Sequence, residues 1–389
     1  MEIYFNRAEY DRLYSCAYLN ASQWKSYAYP RPIVGCTSLI LGVLYLCTYL
    51  PCLYVIKRSN FFENSCYKLM FLIGCVDVLA VMCTYLPCLC VIKRSNFFEN
   101  SCYKLMFLIG CVDVLAVMVN SFVTGYLLVK GTTFCSAPTL QYISGCIAVA
   151  GWCGQCLACT ILAINRCIDF WSPRLSRRLF GGRRTFFWYF LVVAYMLYVA
   201  IFTRPPTLSS GYFMWLYDPY VAVPSKLIVA VDRSQYGNLT HELNNFILTP
   251  LLFGLYGFLI ISVKMCGEQN SNLVRMQWNI IRQAGLICAL NFVPGVIYIF
   301  AFFLPTPPGV ILVCLMTWQL GNGGGGMILL ISNATIRNEV FKMLGKSNKT
   351  TVSVVPTGSK ELVVPTGVKF PKLKSVTGVF RHQMEMEEK

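Results

Sequence analysis

Apolar residues run along this chain in eight stretches, separated by short polar or basic segments. A helix needs about 20 apolar residues to span the hydrocarbon core of a bilayer, and each stretch reaches roughly that length. The pattern indicates an all-α membrane protein, a seven-transmembrane helix bundle with one extra apolar segment. The predicted spans are 33–56, 67–92, 103–129, 138–164, 185–203, 246–265, 279–304 and 309–332.

The extra segment, 67–92, arises from a tandem duplication. Residues 47–82 and 83–118 are identical except that Tyr54 is replaced by Cys90. Structural repeats share only a sparse pattern of packing positions, so this near-identity indicates a recent duplication or a doubled exon. Basic residues flank the extra segment on both sides, and basic flanks favour the cytoplasm. The sequence leaves open whether the segment crosses the membrane or is re-entrant or displaced.

Basic residues also predict the orientation of the other spans. The link 165–184 carries six arginines and one acidic residue, Asp169, and further basic residues follow 246–265 and 309–332. Lysine and arginine in short loops mark the cytoplasmic side. Seven spans with a cytoplasmic tail place residues 1–32 outside, whereas eight spans place them inside.

Composition agrees with membrane embedding. The chain is 56% hydrophobic and 13% charged, whereas soluble domains carry about 25% charged residues. Five of the first twelve residues are charged, so no cleavable signal peptide is expected. The net charge of +16 is distributed over links and tail, so nucleic-acid binding is not predicted. We expect 333–345 to form an amphipathic juxtamembrane helix and 346–389 to be a disordered basic cytoplasmic tail.

Two polar residues lie inside one predicted span. Asp113, with its copy Asp77, lies about eleven residues into an apolar segment, and Asn120 follows seven residues later on a similar face. A carboxylate within a membrane is costly and usually faces the bundle interior. A functional or ion-coordinating role is one hypothesis, with Asn120 as a partner. A structural hydrogen bond is the alternative.

The triplet Asn165-Arg166-Cys167 follows directly after the span 138–164. One hypothesis makes it a switch at the mouth of a cytoplasmic cavity where a partner docks. The alternative is a snorkelling arginine that anchors the helix at the membrane surface.

Two features predict flexible points in the last spans. Pro294 removes a helix hydrogen bond and favours a kink. The run Gly321-Asn-Gly-Gly-Gly-Gly326 weakens a helix and permits bending, for which Gly323 and Gly324 are candidate hinges, or close packing. The run lacks the Gly-Lys-Ser/Thr ending of a phosphate-binding loop.

Four residues outside the spans complete the candidate sites. Cys16 and Cys135 occur in loop-like sequence on the same predicted face, which suggests a disulfide, and Asn20 and Asn238 begin glycosylation sequons. Most other cysteines lie in apolar spans, where small hydrophobic packing is expected. The spacing of cysteine and histidine predicts no metal site.

Enzyme signatures are absent from the sequence, so neither catalysis nor a cofactor is predicted. A membrane transporter or channel remains an alternative function. A non-functional product of a duplicated exon or of an error in the gene model is another.

Several motifs in order resemble the nematode serpentine receptor class T, a group of seven-helix G-protein-coupled chemoreceptors. They are the approach from Trp24 to Arg31, Gly42-Val-Leu-Tyr, Tyr49-Leu-Pro-Cys-Leu, Ser65-Cys-Tyr-Lys-Leu-Met, Leu162-Ala-Ile-Asn-Arg-Cys, Trp318-Gln-Leu-Gly-Asn-Gly and Ser332-Asn-Ala-Thr-Ile-Arg. The resemblance covers roughly residues 14–345. It implies a chemosensory receptor in the plasma membrane, in the cilia of sensory neurons, whose partners are the lipid bilayer, an unknown extracellular ligand and a heterotrimeric G protein.

The resemblance also implies roles for individual residues. Asn165-Arg166-Cys167 stands where many such receptors carry an acidic-arginine-aromatic triplet at the G-protein cavity. Asp113 matches the carboxylate of the second helix, and Pro294 matches the kink of the sixth.

Overall fold

Apolar helices that run back and forth make up most of the structure. The computed structural model describes residues 1–57, 101–228, 232–266, 293–297 and 307–343, together with 282, 285, 286 and 289. These residues belong to one structural unit, Met1–Lys346. The predicted segment 67–92, most of 279–304 and the predicted tail 346–389 lie outside the described residues.

Twelve α-helices follow one another in the described parts of the chain. They are α1 (Glu2–Phe5), α2 (Arg7–Leu13), α3 (Ala21–Ser26), α4 (Pro32–Lys57), α5 (Ser101–Val117), α6 (Thr124–Lys130), α7 (Pro138–Trp171), α8 (Pro173–Phe180), α9 (Thr185–Phe202), α10 (Leu239–Cys266), α11 (Pro308–Ser332) and α12 (Ala334–Met343). A π-helical segment, Met118–Val123, joins α5 to α6. Short 3₁₀ turns occupy Phe134–Ser136, Gly182–Arg184, Ser225–Leu227 and Arg233–Tyr236.

Within the described residues, five helical stretches are long and apolar enough to cross a membrane. Helix α11 has 25 residues and a length of about 37 Å, but Gln319, Asn322 and its glycines make it more polar. The five stretches are Pro32–Val55, Lys104–Lys130, Pro138–Trp171, Gly182–Phe202 and Leu239–Met265.

Local sequence explains where several helices start. Proline occupies the first turn of α7, α8 and α11, where its missing N–H costs nothing. Asn20 forms a capping box with Gln23 at α3, in which the side chain of each accepts a 2.9 Å hydrogen bond from the backbone of the other.

Two helices extend beyond the boundaries that hydrophobicity predicts. Helix α7 continues to Trp171 rather than ending near residue 164, and α10 begins at Leu239 rather than near 246. The added turns carry buried polar side chains, including Arg166 at 5% exposure and His241 at 9%. Neighbouring side chains hydrogen-bond these groups, so polarity does not end the helix there.

The bundle has two ends, which we name by their chemistry. The disulfide end carries the bond between Cys16 and Cys135. The arginine end carries Arg166. Helix α4 starts near the disulfide end, where Gly35 packs against Gly125, and runs toward the arginine end.

The described helices contain parts of both copies of the duplicated unit. Helix α4 uses the start of the first copy, through Lys57, and α5 uses the end of the second copy, from Ser101. Val55 and Cys102 belong to the same buried cluster near the arginine end, with Cys167 and Val340. The helices on either side of 58–100 therefore meet at one end of the bundle.

Residues 1–32, predicted only as an extracellular segment, hold the short helices α1–α3. These helices pack on a buried aromatic cluster at the disulfide end that includes Tyr14, Trp24, Tyr142 and Tyr220. The hydroxyl of Tyr220 donates to the carbonyls of Leu13, at 3.2 Å, and Ser15, at 2.8 Å. Burial raises the pKa of Tyr220, so this hydroxyl stays a neutral donor.

A β-hairpin in the long 204–245 link lies across this end. Strands β1 (Thr207–Ser209) and β2 (Met214–Leu216) pair antiparallel, with Leu208 opposite Trp215. The hairpin is fixed to the bundle from both strands. Leu208 N donates to Gln141 Oε1 at 2.9 Å, and Trp215 Nε1 donates to Thr124 Oγ1 at 2.9 Å.

Candidate ligand pocket and polar core

A fully buried carboxylate lies at the centre of the polar core. Asp113 is 0% exposed, and its two oxygens accept hydrogen bonds from Tyr49 Oη and Gln155 Nε2. Tyr49 comes from α4 and Gln155 from α7, so Asp113 joins three helices. Sequence reasoning misses Tyr49 and Gln155, although a glutamine in an apolar span is a signal for a polar interior.

The predicted pairing of Asp113 with Asn120 does not form among the described residues. Asn120 lies in the π-helical segment, where Thr124 Oγ1 bonds the carbonyl of Val119 at 2.9 Å. A π segment contains more residues per turn than an α-helix, so residues seven apart no longer share a face. Asn120 instead contacts Ser121 through its side chain and Gln319 through its carbonyl.

Helix α11 reaches the same polar core. Gln319 Nε2 donates to the carbonyl of Asn120 at 2.7 Å and to Ser38 Oγ at 2.9 Å. One turn later, Asn322 Nδ2 donates to the carbonyl of Trp318 at 2.8 Å. Gln319 thereby ties α11 to both α4 and the π segment.

The glycine run of α11 packs directly on α4. A methyl group at Gly323 would overlap the ring of Tyr45, and one at Gly326 would lie 2.9 Å from Tyr49 N. All six residues of the run are buried. Of the two predicted uses of these glycines, the structure shows close packing, and Gly323 and Gly324 as hinges stay a prediction.

A pocket opens between the hairpin and the helices α7, α10 and α11. It encloses about 430 Å³ of space, counting its mouth. The predicted kink residue Pro294 contributes to its wall. The residues that line it are Ala148, Val149, Trp152, Pro206, Trp215, Tyr217, His241, Pro294 and Trp318.

Hydrogen bonds hold one side of the pocket wall in place. Trp152 Nε1 donates to Asn245 Oδ1 at 2.7 Å, and Asn245 Nδ2 lies 3.2 Å from His241 Nε2. The rings of His241 and Tyr217 lie 5.8 Å apart. Such aromatic walls with a few fixed polar groups are typical of small-molecule sites.

Arg166 is buried at the arginine end. Its guanidinium donates to Asn165 Oδ1 at 2.6 Å and lies 3.5 Å from Asp169 Oδ2, while Nε has no partner among the described residues. Cys167 Sγ contacts the carbonyl of Leu255 on α10 at 3.6 Å. In the sequence, Asp169 is the one acidic residue of the link 165–184. Its spacing of three residues from Arg166 on a helix is the signal that could have identified it as the ionic partner.

The structure also places the four candidate residues of the disulfide end. Cys16 and Cys135 form a disulfide. Asn20 is exposed. Asn238 is 4% exposed, and its Nδ2 donates to Thr203 Oγ1 at 3.0 Å and to the carbonyl of Arg204 at 2.9 Å. Because that nitrogen would carry a glycan, the geometry favours Asn20 as the acceptor.

Comparison with known proteins identifies the family. The profile described as "Serpentine type 7TM GPCR chemoreceptor Srt" matches residues 2–86 and 80–352. The chain belongs to this family. It is therefore a multi-pass membrane protein with a seven-transmembrane bundle, as predicted, and the resemblance to serpentine receptor class T is confirmed.

One relative and one solved structure resemble this Srt chain. Serpentine receptor class T-55 of Caenorhabditis elegans is 24% identical over 245 residues, which are 62% of this chain and 65% of that protein, so the match spans just under two thirds of the relative. Squid rhodopsin has a similar fold, with a TM-score of 0.52 and 12% identity over 84% of this chain and 90% of that one.

The family match breaks where the duplication lies. Its two parts overlap at residues 80–86, and the first copy passes into the second between Met82 and Cys83. The first part of the match therefore covers the whole first copy, and the second part covers the whole second copy.

Proposed function

We propose that this chain is a chemosensory receptor that binds a small external ligand in the pocket and couples it to a heterotrimeric G protein at the arginine end. Family membership supports a receptor. The proposal assigns the disulfide end to the outside and the arginine end to the cytoplasm, which agrees with the six arginines of 165–184.

The observation that carries the proposal is the double role of α11. Trp318 forms part of the pocket wall, and the next residue, Gln319, bonds Ser38 and Asn120 in the polar core. Further along, the glycine run rests on Tyr49, which holds Asp113. A ligand that shifts Trp318 therefore acts on one continuous element that reaches the centre of the bundle.

The proposed switch lies at the arginine end. A ligand moves an equilibrium only through different affinities for two states. Arg166 is held by Asn165 and by Asp169, which is 32% exposed, and both partners lie on its own helix. Its partner Asn165 also donates to Ser101 of α5 at 3.2 Å, so the arginine is linked to a second helix through a single side chain.

Nucleotide exchange tests the proposed function. The full chain is reconstituted in lipid nanodiscs with purified G-protein heterotrimers, and GTP-analogue binding is measured with a panel of neutral, cationic and anionic small molecules. We expect exchange above that of empty nanodiscs, with at least one compound changing the rate. Ligand-dependent solute flux in vesicles, with no exchange on any heterotrimer, would favour a transporter or channel instead.

Surface localisation forms part of the proposal. A receptor for external chemicals acts at the plasma membrane, and the family name points to sensory cells, for which cilia are the proposed site. Epitope labelling of intact cells, with the label at residue 1, measures whether this end faces outward.

A further inference from the structure

We infer that the pocket selects a small, uncharged aromatic ligand and excludes ionised ones. This inference rests on the proposed function, because it names the chemical class of the ligand that the receptor would detect. It follows from how the wall side chains use their hydrogen bonds.

The wall is rich in tryptophan, and most of its indole N–H groups are already engaged. Three tryptophans line the pocket, and the indole N–H groups of two of them are held by neighbouring side chains. Trp152 donates to Asn245 and Trp215 donates to Thr124. Fixed N–H groups leave the apolar ring surface for the ligand, and planar aromatic molecules stack favourably on such surfaces.

His241 is held in its neutral form by Asn245. Oδ1 of Asn245 receives hydrogen bonds from Trp152 Nε1 and from Asn244 Nδ2, at 3.3 Å, and both of these are donors only. The amide orientation is thereby fixed, and Nδ2 must point at His241 Nε2. An amide N–H₂ can only donate, so Nε2 accepts and carries no proton.

Charge is absent from the part of the wall that the structure describes. Its nine residues include neither acid nor cationic side chain, and His241 is neutral. An ammonium or carboxylate entering this site would lose its hydration without gaining a counterion, which disfavours both signs of charge. Aromatic ring faces attract cations. An ammonium ligand is therefore expected to bind better than a carboxylate, and it is the more demanding test of the preference for uncharged ligands.

The size of the site sets the remaining limit. The space of about 430 Å³ inside the site includes open solvent at its mouth, so only a small ligand fits between the wall residues. Tyr217 and His241 are the polar side chains of the described wall, and they are adjacent. The favoured ligand has one aromatic ring and one uncharged polar group.

Three probes of equal shape test the inference. Benzyl alcohol, benzylammonium and benzoate are titrated against the purified full chain in nanodiscs, with tryptophan fluorescence quenching as the measure of binding. We expect saturable quenching by benzyl alcohol at concentrations at least tenfold lower than for either ion. Equal or tighter binding of an ion, or absence of saturable binding by benzyl alcohol, would overturn the inference.

Variants separate the pocket from the lipid. Val149→Phe fills the pocket and should abolish the saturable component, whereas Val193→Phe, on an exposed position of α9, should retain it. Val149→Asp adds a carboxylate and should reverse the preference toward benzylammonium. Quenching that survives Val149→Phe unchanged would show binding elsewhere and refute the assignment.

The measurement needs no G protein, so the two proposals fail separately. Selective benzyl alcohol binding without nucleotide exchange would leave the ligand class standing and count against the receptor function. Nucleotide exchange driven by an ionised compound, and abolished by Val149→Phe, would support the receptor function and count against the uncharged ligand class.

Discussion

Two buried polar side chains in the same bundle are held in opposite ways. Asp113 has both oxygens bonded to side chains from two other helices, α4 and α7. Arg166 is almost as buried, yet its partners Asn165 and Asp169 lie on its own helix, and Nε has none among the described residues. Asp113 bonds two other helices directly, whereas Arg166 reaches another helix only through Asn165, which donates to Ser101 of α5 at 3.2 Å.

The difference separates a structural centre from an exchangeable site. Removing a buried group that joins three helices orphans its partners, and each orphan costs about 1–3 kcal/mol. Asp169 is 32% exposed, so solvent screens its ion pair with Arg166 and this partner is exchanged at lower cost than a fully buried one. Four substitutions test this contrast, ordered by their expected effect on stability.

Asp113→Ala should have the largest effect. It leaves Tyr49 Oη and Gln155 Nε2 without an acceptor, and we expect a loss of about 2 kcal/mol or more in stability. Thermal unfolding in detergent measures it, with Asp113→Asn as the matched control, since it retains an acceptor. Asn keeps one of the two acceptor oxygens, so we expect a smaller loss there, and equal loss in both variants would contradict the bonding argument.

Gly326→Ala should have the next largest effect. The added methyl lies 2.9 Å from Tyr49 N, a backbone atom, and overpacking of this kind costs about 1–3 kcal/mol. Gly254→Ala on α10 meets nothing within 4 Å in the described structure and is the control. We expect the control to be neutral or slightly stabilising by the same unfolding assay, and a matching loss there would contradict the close-packing argument.

Arg166→Ala should leave stability and surface expression nearly unchanged while nucleotide exchange falls roughly tenfold. Asp169→Asn should weaken the hold on the arginine and raise ligand-independent exchange. Arg7→Ala, an exposed arginine of the disulfide end, removes the same charge and should change neither. Normal nucleotide exchange by Arg166→Ala at normal surface expression would favour the alternative, in which the arginine only anchors the helix at the membrane surface.

Asn20→Gln should affect stability least, and it determines which end faces outward. We expect loss of a glycosidase-sensitive mass shift on gels, because Asn20 is exposed. Asn238→Gln should leave the shift intact, since its nitrogen is engaged inside the fold. No shift in the parent chain, despite expression, would argue that residues 1–32 face the cytoplasm.

Hydrophobicity alone predicts the class of fold and most helices, because the bilayer demands long apolar segments. It misplaces the end of α7 and the start of α10, where Arg166 and His241 are buried among polar partners. It also misses α1–α3 at the disulfide end, which are stabilised by an aromatic cluster rather than by lipid.

The candidate site is predictable only in part, for a similar reason. Asp113 is conspicuous because a carboxylate in an apolar span has few uses, whereas Tyr49 and Trp318 look like ordinary packing residues. Their roles depend on which faces meet. The π-helical segment before Thr124 changes which side chains share a helix face. The composition of Met118–Val123 does not predict a π-helix.

The disulfide closes a loop that contains both copies of the duplicated unit. Cys16 and Cys135 are 119 residues apart, and a chain with one copy fewer, shorter by 36, would close 83. Loop-closure entropy grows only with the logarithm of length, so the two chains differ by about 0.3 kcal/mol in this contribution. The loop-closure entropy of this disulfide therefore does not distinguish the duplicated chain from a single-copy form.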